Sequence, residues 1–189
     1  MTSIAVLDYG LGNLRSVFRG LCAAGATPVI TNDAEVISSA DGILLPGVGA
    51  FAEGMEKLRP LIPLVKAEAE KKPLMGICIG MQMLLEESEE HGVHEGLSFI
   101  LGRIRMFEKQ PGLKVPQMGW NTISPCGNHP LFEDVAEGTY VYFVHSYYAA
   151  ECEGAVIATA EYGPELTAAV ANGNVFGCQF HPEKSGEVG

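Results

Sequence analysis

The sequence has few basic side chains and no long apolar run. Lys and Arg number 12 against 23 Asp and Glu, which gives a formal net charge of -11 over 189 residues. An average surface of that sign repels the phosphates of nucleic acids and of anionic membranes. No stretch reaches the roughly 18 consecutive apolar residues of a membrane span, and the start lacks the basic and apolar regions of a secretion signal. We therefore expect no nucleic-acid partner, no membrane partner and a cytoplasmic location.

Cysteine is scarce and unevenly spaced. The five cysteines are Cys22, Cys78, Cys126, Cys152 and Cys178. Their odd count and the absence of a C-x-x-C pair argue against a disulfide framework and against a zinc site. Cys22 falls on the apolar stripe of a predicted helix and Cys178 in an apolar strand, so we expect both to be small core residues.

Two further features fall short of a metal or cofactor site. His91 and His94 are separated by Gly92 in a segment without helical periodicity, which argues against a metal-binding helix. The segment Gly10-Leu11-Gly12 follows the first strand, but Arg15 stands where a dinucleotide-binding loop requires a third glycine. We expect no metal and no cofactor.

Short apolar strands alternate with amphipathic helices in the first half of the chain. Strand-like runs begin at Ile4, Thr27, Gly42 and Leu74, with helical stretches between them. This order predicts a parallel sheet covered by helices. The second half has β-rich runs broken by Gly, Pro and Asn, which we expect to extend the same sheet. The length suits one domain, so we predict a single α/β domain over residues 1–189, with a mostly parallel central sheet and an antiparallel extension.

The most informative segment is Gly76-Ile77-Cys78-Ile79-Gly80, where an apolar strand runs into an apolar helix. This pattern is typical of a nucleophile elbow, a strained turn that pushes its central side chain outward between two small residues. The following helix points its amide groups at the sulfur, which favours thiolate over thiol. A buried structural cysteine is the alternative interpretation, because such cysteines are usually inert.

A thiolate nucleophile needs a base, and the base needs a group that fixes its tautomer. His181 follows an apolar strand, at the sheet edge where the elbow also falls. Pro182 sets a turn, and Glu183 can reach back to the imidazole. We interpret these residues as a Cys78-His181-Glu183 triad. The alternative is a surface histidine beside a turn.

Two loops could bind a substrate beside the predicted elbow. The segment Pro46-Gly47-Val48-Gly49 follows a strand, and its small residues let backbone amides approach a developing oxyanion. It could equally be a plain strand-to-helix connection. His145 and Ser146 end an aromatic strand, where they could hydrogen-bond a substrate or cap the strand.

Four segments together resemble the class I, triad-type glutamine amidotransferases: Pro46-Gly47-Val48-Gly49, Gly76 to Gln82, His145-Ser146-Tyr147 and Gln179 to Glu183. Three more segments narrow the resemblance to the glutaminase subunit of imidazole glycerol phosphate synthase: Asp8 to Leu14, Met118-Gly119-Trp120-Asn121 and Tyr142 to Tyr147. The resemblance extends from Ile4 to Ser185.

This resemblance implies that L-glutamine is hydrolysed to glutamate and ammonia. The ammonia passes to a (β/α)8 cyclase subunit in a heterodimer of histidine biosynthesis. Cys78 would attack the glutamine amide, His181 would move the proton and Glu183 would orient His181. The implied glutamine-binding residues are Gly47, Val48, Gly49, Gln82, His145, Ser146 and Tyr147. The implied cyclase-facing residues are Met118, Asn121 and Trp120, the only tryptophan and a plausible interface anchor.

Three alternatives stay open on the sequence alone. Other class I glutaminases share the triad, and the segment Met118 to Asn121 favours the histidine pathway among them. A cysteine peptidase could use the same residues, although it needs an extended cleft and the chain has no obvious insertion to build one. A degenerate domain that only binds or regulates is the third.

We also expect the oxyanion donors near Val48 to be misaligned until the cyclase docks, since a peptide flip beside glycine is sterically cheap.

Overall fold

Five parallel strands form one half of the main sheet in the structure, a computed structural model that describes residues 1–108 and 110–189. The strands are, in chain order, β1 (Ser3–Leu7), β2 (Thr27–Thr31), β3 (Gly42–Leu45), β4 (Leu74–Ile77), β5 (Glu87–Ser88), β6 (His94–Glu95), β7 (Arg103–Met106), β8 (Gln117–Pro125), β9 (Thr139–His145), β10 (Tyr147–Ala150), β11 (Val156–Glu161), β12 (Glu165–Asn172) and β13 (Val175–Cys178). The α-helices are α1 (Leu14–Ala23), α2 (Ala34–Ser39), α3 (Phe51–Leu58), α4 (Ile62–Ala69) and α5 (Ile79–Met83), and 3-10 helices cover Arg59–Leu61, Pro130–Phe132 and Pro182–Lys184.

The main sheet has nine strands in the order β2-β1-β3-β4-β13-β12-β11-β8-β9. Pairing is parallel from β2 to β13 and antiparallel from β13 to β9. Strand β3 is buried at every position, as expected for a continuous apolar run covered on both faces. The predicted α/β fold, with a parallel sheet and an antiparallel extension in the second half, is confirmed.

A second sheet of four strands, in the order β10-β7-β5-β6, corrects one expectation from the sequence. The β-rich runs of the second half do not all extend the main sheet, because β7 and β10 pair with each other instead. The aromatic run that ends at Tyr148 therefore splits at Ser146. The neighbouring strand β8 begins at Gln117, which pairs with His145 of β9. Residues after His145 therefore have no partner on β8.

The first helix packs on the sheet through a narrower stripe than its sequence suggests. Leu14, Val17 and Leu21 pack into the core, whereas Cys22 is exposed. The expectation that Cys22 is a core residue is wrong, because one helical step of about 100° carries it past the contact face. Cys178 is buried as expected. No helix in the described residues combines the length and the apolar character that crossing a membrane requires.

The parallel strands bring several loops to one edge of the sheet. The chain leaves the carboxyl ends of β1, β3, β4 and β13 at this edge, where ligands bind in open α/β sheets. A hydrogen bond of 2.5 Å from the Tyr9 hydroxyl to the Pro46 carbonyl joins the loop after β1 to the loop after β3. The candidate site lies among these loops.

Candidate active site

Cys78 occupies a strained turn between β4 and α5. Its backbone has φ 53° and ψ -110°, a combination that few non-glycine residues adopt. A Cβ atom on Gly76 would lie 2.5 Å from the carbonyl carbon of Gly80, and one on Gly80 would overlap the carbonyl oxygen of Leu45. Glycine is therefore required on both sides, and the turn has the geometry of a nucleophile elbow.

His181 and Glu183 form a buried pair directly after β13. Nδ1 of His181 lies 2.8 Å from Oε1 of Glu183, and both side chains are almost fully buried. The 3-10 helix Pro182–Lys184 turns the carboxylate back toward the ring. With Nδ1 donating to Glu183, Nε2 is the nitrogen that can exchange a proton. It lies near the Cys78 sulfur, without a hydrogen bond of ordinary geometry to any described residue.

The electrostatic environment of His181 favours its protonated form. Burial lowers the pKa of the imidazole, but interactions with the Cys78 sulfur and the Glu183 carboxylate outweigh burial and raise that pKa to about 9. An imidazolium beside an anionic sulfur is the resting arrangement of a cysteine nucleophile paired with a histidine. With a pKa of about 9, the described His181 is protonated near pH 7.

A cavity of about 480 Å³ opens in front of the sulfur. All the predicted catalytic and substrate-binding residues line it except Gly47 and Glu183. Glu183 pairs with His181, outside the cavity lining. Gly47 instead packs on the elbow, because a Cβ atom there would lie 2.8 Å from the backbone nitrogen of Gly80. It lets the loop after β3 approach the nucleophile closely.

His145 hydrogen-bonds within the protein through both ring nitrogens. Nδ1 lies 2.7 Å from the carbonyl oxygen of Tyr147, and Nε2 lies 2.8 Å from the Gln117 side chain. Burial lowers the pKa of His145 to about 4, the Tyr147 hydrogen bond opposes this shift, and the charge of His181 adds to it. The ring is therefore neutral near pH 7, and it supports the wall of the cavity.

The predicted interface residues lie away from the cavity, on β8. Met118 and Trp120 are exposed by 64% and 55% and stand two residues apart, on one face of the strand. Trp120 meets the ring of Tyr142 edge to face at 6.0 Å. Asn121 is occupied within the chain, since its amide donates to the Glu161 carbonyl at 2.9 Å.

Sequence reasoning assigned no role to Tyr9, which supports a loop beside the site, or to Glu90 in the cavity lining. The Tyr9 hydroxyl supports Pro46, and burial together with the charge of Cys78 raises the Tyr9 pKa far above its ordinary value. Glu90 lines the cavity and accepts a 2.6 Å hydrogen bond from the amide of Phe51. Glu90 belongs to a run of glutamates that is typical of a solvated surface, so no local signal distinguishes it. Tyr9 could have been found, because it follows a strand at the ligand edge of the sheet.

Metal binding has no ready donor set in this region. Within residues 1–108 and 110–189, no three or more His, Cys, Asp or Glu side chains are grouped so that they could hold a metal ion. The chemistry of the site is that of a thiol, an imidazole and a carboxylate.

Comparisons with known proteins agree with this chemistry. The family model for class-I glutamine amidotransferases matches residues 5–189. The imidazole glycerol phosphate synthase subunit HisH of Methanosarcina mazei is 52% identical, covering 100% of this chain and 95% of its own length. The same subunit of Natronomonas pharaonis is 54% identical, covering 98% and 89%.

Solved structures share the fold at lower sequence identity. A crystal structure of a glutamine amidotransferase superposes with a TM-score of 0.72 at 19% identity, covering 95% of this chain and 90% of that one. A likeness at this identity concerns the fold alone. Taken with the family model and the HisH relatives, the chain belongs to the class-I glutamine amidotransferase family of enzymes and, within it, to the HisH subunits of imidazole glycerol phosphate synthase.

Proposed function

We propose that this chain, as one amidotransferase domain over residues 1–189, hydrolyses L-glutamine to glutamate and ammonia for a cyclase subunit in histidine biosynthesis. One observation carries the proposal. The elbow cysteine follows β4 and His181 follows β13, yet both line a single cavity, and Glu183 holds the His181 ring from behind. The family membership of the chain supports the same reaction. A cytoplasmic location stays a prediction.

The first half of the reaction forms a thioester. The Cys78 sulfur attacks the carboxamide carbon of glutamine, and the carbon–nitrogen bond breaks as Nε2 of His181 gives its proton to the leaving nitrogen. Ammonia departs. Glu183 holds the proton on Nδ1 of His181 and stabilises the imidazolium, so that only Nε2 takes part in the transfer.

The second half regenerates the enzyme. Neutral His181 takes a proton from water as the oxygen attacks the thioester carbon, and the carbon–sulfur bond breaks. Glutamate leaves after its new carboxyl group loses a proton to solvent. The sulfur is again anionic beside an imidazolium. Water enters and ammonia leaves, so the sum is one hydrolysis.

The tetrahedral intermediates need hydrogen-bond donors for their oxyanion. The amide of Ile79, the first residue of α5, has no helical carbonyl to pair with and borders the cavity. Val48 and Gly49 line the same cavity, and Gly49 has φ 104°, in the region that favours glycine. We propose that backbone amides from both segments hold the oxyanion, with those at Val48 reoriented when the cyclase docks.

Two acceptors in the site suit the α-ammonium group of glutamine. Oε1 of Gln82 has no partner among the described residues, although Gln82 borders the cavity. The Glu90 carboxylate borders it as well. A buried unpaired acceptor is unfavourable until a donor arrives. Glutamine supplies such a donor at its α end, which places its carboxamide toward Cys78.

We propose that the exposed face of β8 and β9 binds the cyclase. Met118, Trp120 and Tyr140 are each more than half exposed, and aromatic anchors of this kind dominate protein interfaces. The ammonium of Lys184 lies 5.7 Å from the centre of the Tyr142 ring, so a cation borders the aromatic surface. Asn121 has its amide engaged within the chain, and we place it at the rim of this docking face.

The test uses the full chain with and without a purified cyclase barrel and the cyclase ligand. We expect the two proteins to co-elute and ammonia release to rise when both are present. A diazo-ketone analogue of glutamine should label Cys78, and Cys78→Ala should remove ammonia release while leaving co-elution intact. Undiminished ammonia release by Cys78→Ala would overturn the mechanism. Equal rates with and without the cyclase would overturn the proposed reorientation near Val48.

A further inference from the structure

A chain of buried side-chain amides lies behind the nucleophile. Gln82 and Gln179 are 1% and 0% exposed. Nε2 of Gln82 lies 3.1 Å from the carbonyl oxygen of Tyr147 and 2.9 Å from Oε1 of Gln179. Nε2 of Gln179 lies 3.7 Å from the sulfur of Cys78, within hydrogen-bonding distance for sulfur. These contacts join a main-chain carbonyl to the reacting atom.

The Tyr147 carbonyl determines how both amides are oriented. A carbonyl oxygen only accepts, so the Gln82 atom beside it must be the nitrogen. The Gln179 atom that meets this nitrogen must then be its oxygen, which leaves the Gln179 nitrogen facing the sulfur. Turning Gln82 over would set its oxygen against the Tyr147 oxygen, and turning Gln179 over alone would set its nitrogen against the Gln82 nitrogen. The accepting oxygen of Tyr147 therefore determines the orientation of both amides.

The same carbonyl determines the tautomer of His145. Nδ1 of His145 lies 2.7 Å from the Tyr147 oxygen, so it carries the proton when the ring is neutral. Nε2 is then an acceptor, and Gln117 must turn its amide nitrogen toward it. The Gln117 nitrogen otherwise has no partner in the described structure, which supports that orientation. The orientations of Gln82, Gln179 and His145 all agree with the Tyr147 carbonyl oxygen as an acceptor.

Besides His181, two groups that hydrogen-bond with the sulfur have opposite effects on its charge. The Val144 carbonyl, 3.8 Å away, accepts a hydrogen bond from a protonated thiol and repels an anion. The Gln179 N–H donates to the sulfur and stabilises the anion. Helix α5 has only five residues, so its dipole stabilises the anion less than that of a longer helix would. The single N–H donor of Gln179 adds to this stabilisation. Without Gln179, the anion would lose one hydrogen-bond donor and keep the repulsion of the Val144 carbonyl.

We propose that Gln179 is a further catalytic residue, whose side-chain N–H, oriented by Gln82 and the Tyr147 carbonyl, holds the Cys78 sulfur in its anionic form. The inference rests on the proposed function because it assigns Gln179 a part in the attack on glutamine. Gln82 acts on the sulfur through Gln179 and is a positioning residue in this respect. Gln179 does not line the cavity, so its contribution is to the nucleophile and not to glutamine binding.

The experiment measures alkylation of Cys78 by iodoacetamide in the full chain, followed by peptide mapping, because Cys22 and Cys126 are also exposed to reagent. Gln179→Met keeps the length of the side chain and removes the donor. We expect its Cys78 alkylation at pH 7 to slow about tenfold, as for a lost hydrogen bond to a charged group. The deficit should shrink as pH rises, because hydroxide ionises the thiol whatever its neighbours. Gln179→Glu sets a carboxylate beside the sulfur and should slow alkylation further.

Gln117→Met is the matched control, since it removes a buried amide that contacts His145 and not the sulfur. Its Cys78 alkylation should follow the unmodified chain across the same pH range. With glutamine, Gln179→Met should lower kcat about tenfold and change KM little. Alkylation of folded Gln179→Met at the unmodified rate would overturn the inference. If Gln179→Met does not fold, Gln82→Met leaves Gln179 present but unoriented, and we expect a several-fold loss; no loss there would also overturn the inference.

Failure of this inference can be told apart from failure of the proposed function. Alkylation needs no glutamine, no cyclase and no turnover. If the chain releases no ammonia with any cyclase and Gln179→Met still slows alkylation, the proposed function fails and the role of Gln179 at the sulfur stands. If ammonia is released and Gln179→Met leaves the alkylation rate unchanged, the proposed function stands and the role of Gln179 at the sulfur fails.

Discussion

The backbone amide of His181 donates a 2.8 Å hydrogen bond to the carbonyl oxygen of Tyr142. Tyr142 also carries the ring that packs on exposed Trp120, so hydrogen bonds join the proposed base to the proposed docking face. Ser185 closes the connection, because its hydroxyl donates to the His181 carbonyl at 2.6 Å and accepts from the Tyr142 amide at 3.0 Å. The segment that carries the proposed base is therefore hydrogen-bonded to both backbone polar groups of Tyr142 on β9.

Removal of the Ser185 hydroxyl should weaken this attachment. Ser185→Ala leaves a partly buried Tyr142 amide without a partner, so we expect the free energy of unfolding in urea to fall by about 1 kcal/mol or more. Ammonia release should fall as His181 loses its fixed position. Ser39→Ala is the control, since its exposed hydroxyl bonds only to Val36 within α2, and we expect a change within about 0.5 kcal/mol. Equal effects of the two substitutions would contradict the prediction.

The pH dependence of catalysis should follow His181. Its pKa is raised to about 9 by the sulfur and the carboxylate beside it, despite burial. As pH rises through that value the imidazolium is lost, and no proton is available for the leaving nitrogen. We expect kcat/KM of the assembled enzyme to fall on this alkaline side. Glu183→Gln removes one of the two interactions that raise the pKa, so the alkaline limb should move to lower pH; an unmoved limb would argue against this pairing.

His145 should make the folded state sensitive to acid. Its pKa is lowered from 6.5 to about 4, chiefly by burial. Between these two pH values the unfolded chain binds a proton at His145 and the folded chain does not. This contribution to stability is complete above pH 6.5 and is lost as pH falls toward 4. Urea unfolding between these limits should show a smaller pH slope for His145→Gln than for the unmodified chain. His129→Gln, at the start of a 3-10 helix on the surface, should keep the full slope.

Glycine at position 80 should be irreplaceable. A Cβ atom there overlaps the Leu45 carbonyl, a backbone group that cannot rotate away. We expect Gly80→Ala to lose about 4 kcal/mol or more of unfolding free energy, or to fail to fold. Gly20→Ala in α1 is the matched control, since its nearest neighbour would be the Cβ of Glu183 at 3.4 Å and alanine favours a helix by about 1 kcal/mol. Thermal unfolding of both variants checks the contrast.

Trp120 and Asn121 should differ in binding to the cyclase. Trp120→Ala removes an exposed aromatic side chain, so we expect the Kd for the cyclase barrel to rise by more than about 30-fold, with little change in the stability of the free chain. Asn121→Ala removes bonds within the chain and should lower stability more than affinity. Calorimetric titration and thermal unfolding of both variants separate the two effects. The opposite pattern would move the docking face elsewhere.

The sequence predicts features that depend on neighbours in the chain. The glycines around Cys78 and the apolar run of β3 are local signals, and the structure has both the tight turn and the buried strand. The order of strands and helices was likewise sufficient for the parallel half of the sheet. The break at Ser146 was not predictable, because it depends on where the neighbouring strand β8 begins.

The residues that support the site could not be predicted from the sequence either, because their roles depend on contacts between distant parts of the chain. Glu90 and Gln179 act through contacts with residues 39 and 101 positions away, Phe51 and Cys78. Glu90 stands in no pattern that marks it as functional. Gln179 belongs to the segment Gln179 to Glu183 that carries the family resemblance, but nothing local in the sequence indicates its contact with the sulfur. Cys22 is the opposite case, because helical periodicity predicts a core position for it and the structure has it exposed.

The hydrogen bonds from residues 181–185 to Tyr142 have a consequence beyond catalysis. Strand β9 is the outermost strand of the nine-stranded sheet, and exposed strand edges template pairing with other chains. The segment that carries the base covers part of that edge. Proteolytic nicking that releases this segment would therefore abolish turnover and uncover an aggregation-prone border in one event, so that an inactivated molecule also becomes an insoluble one.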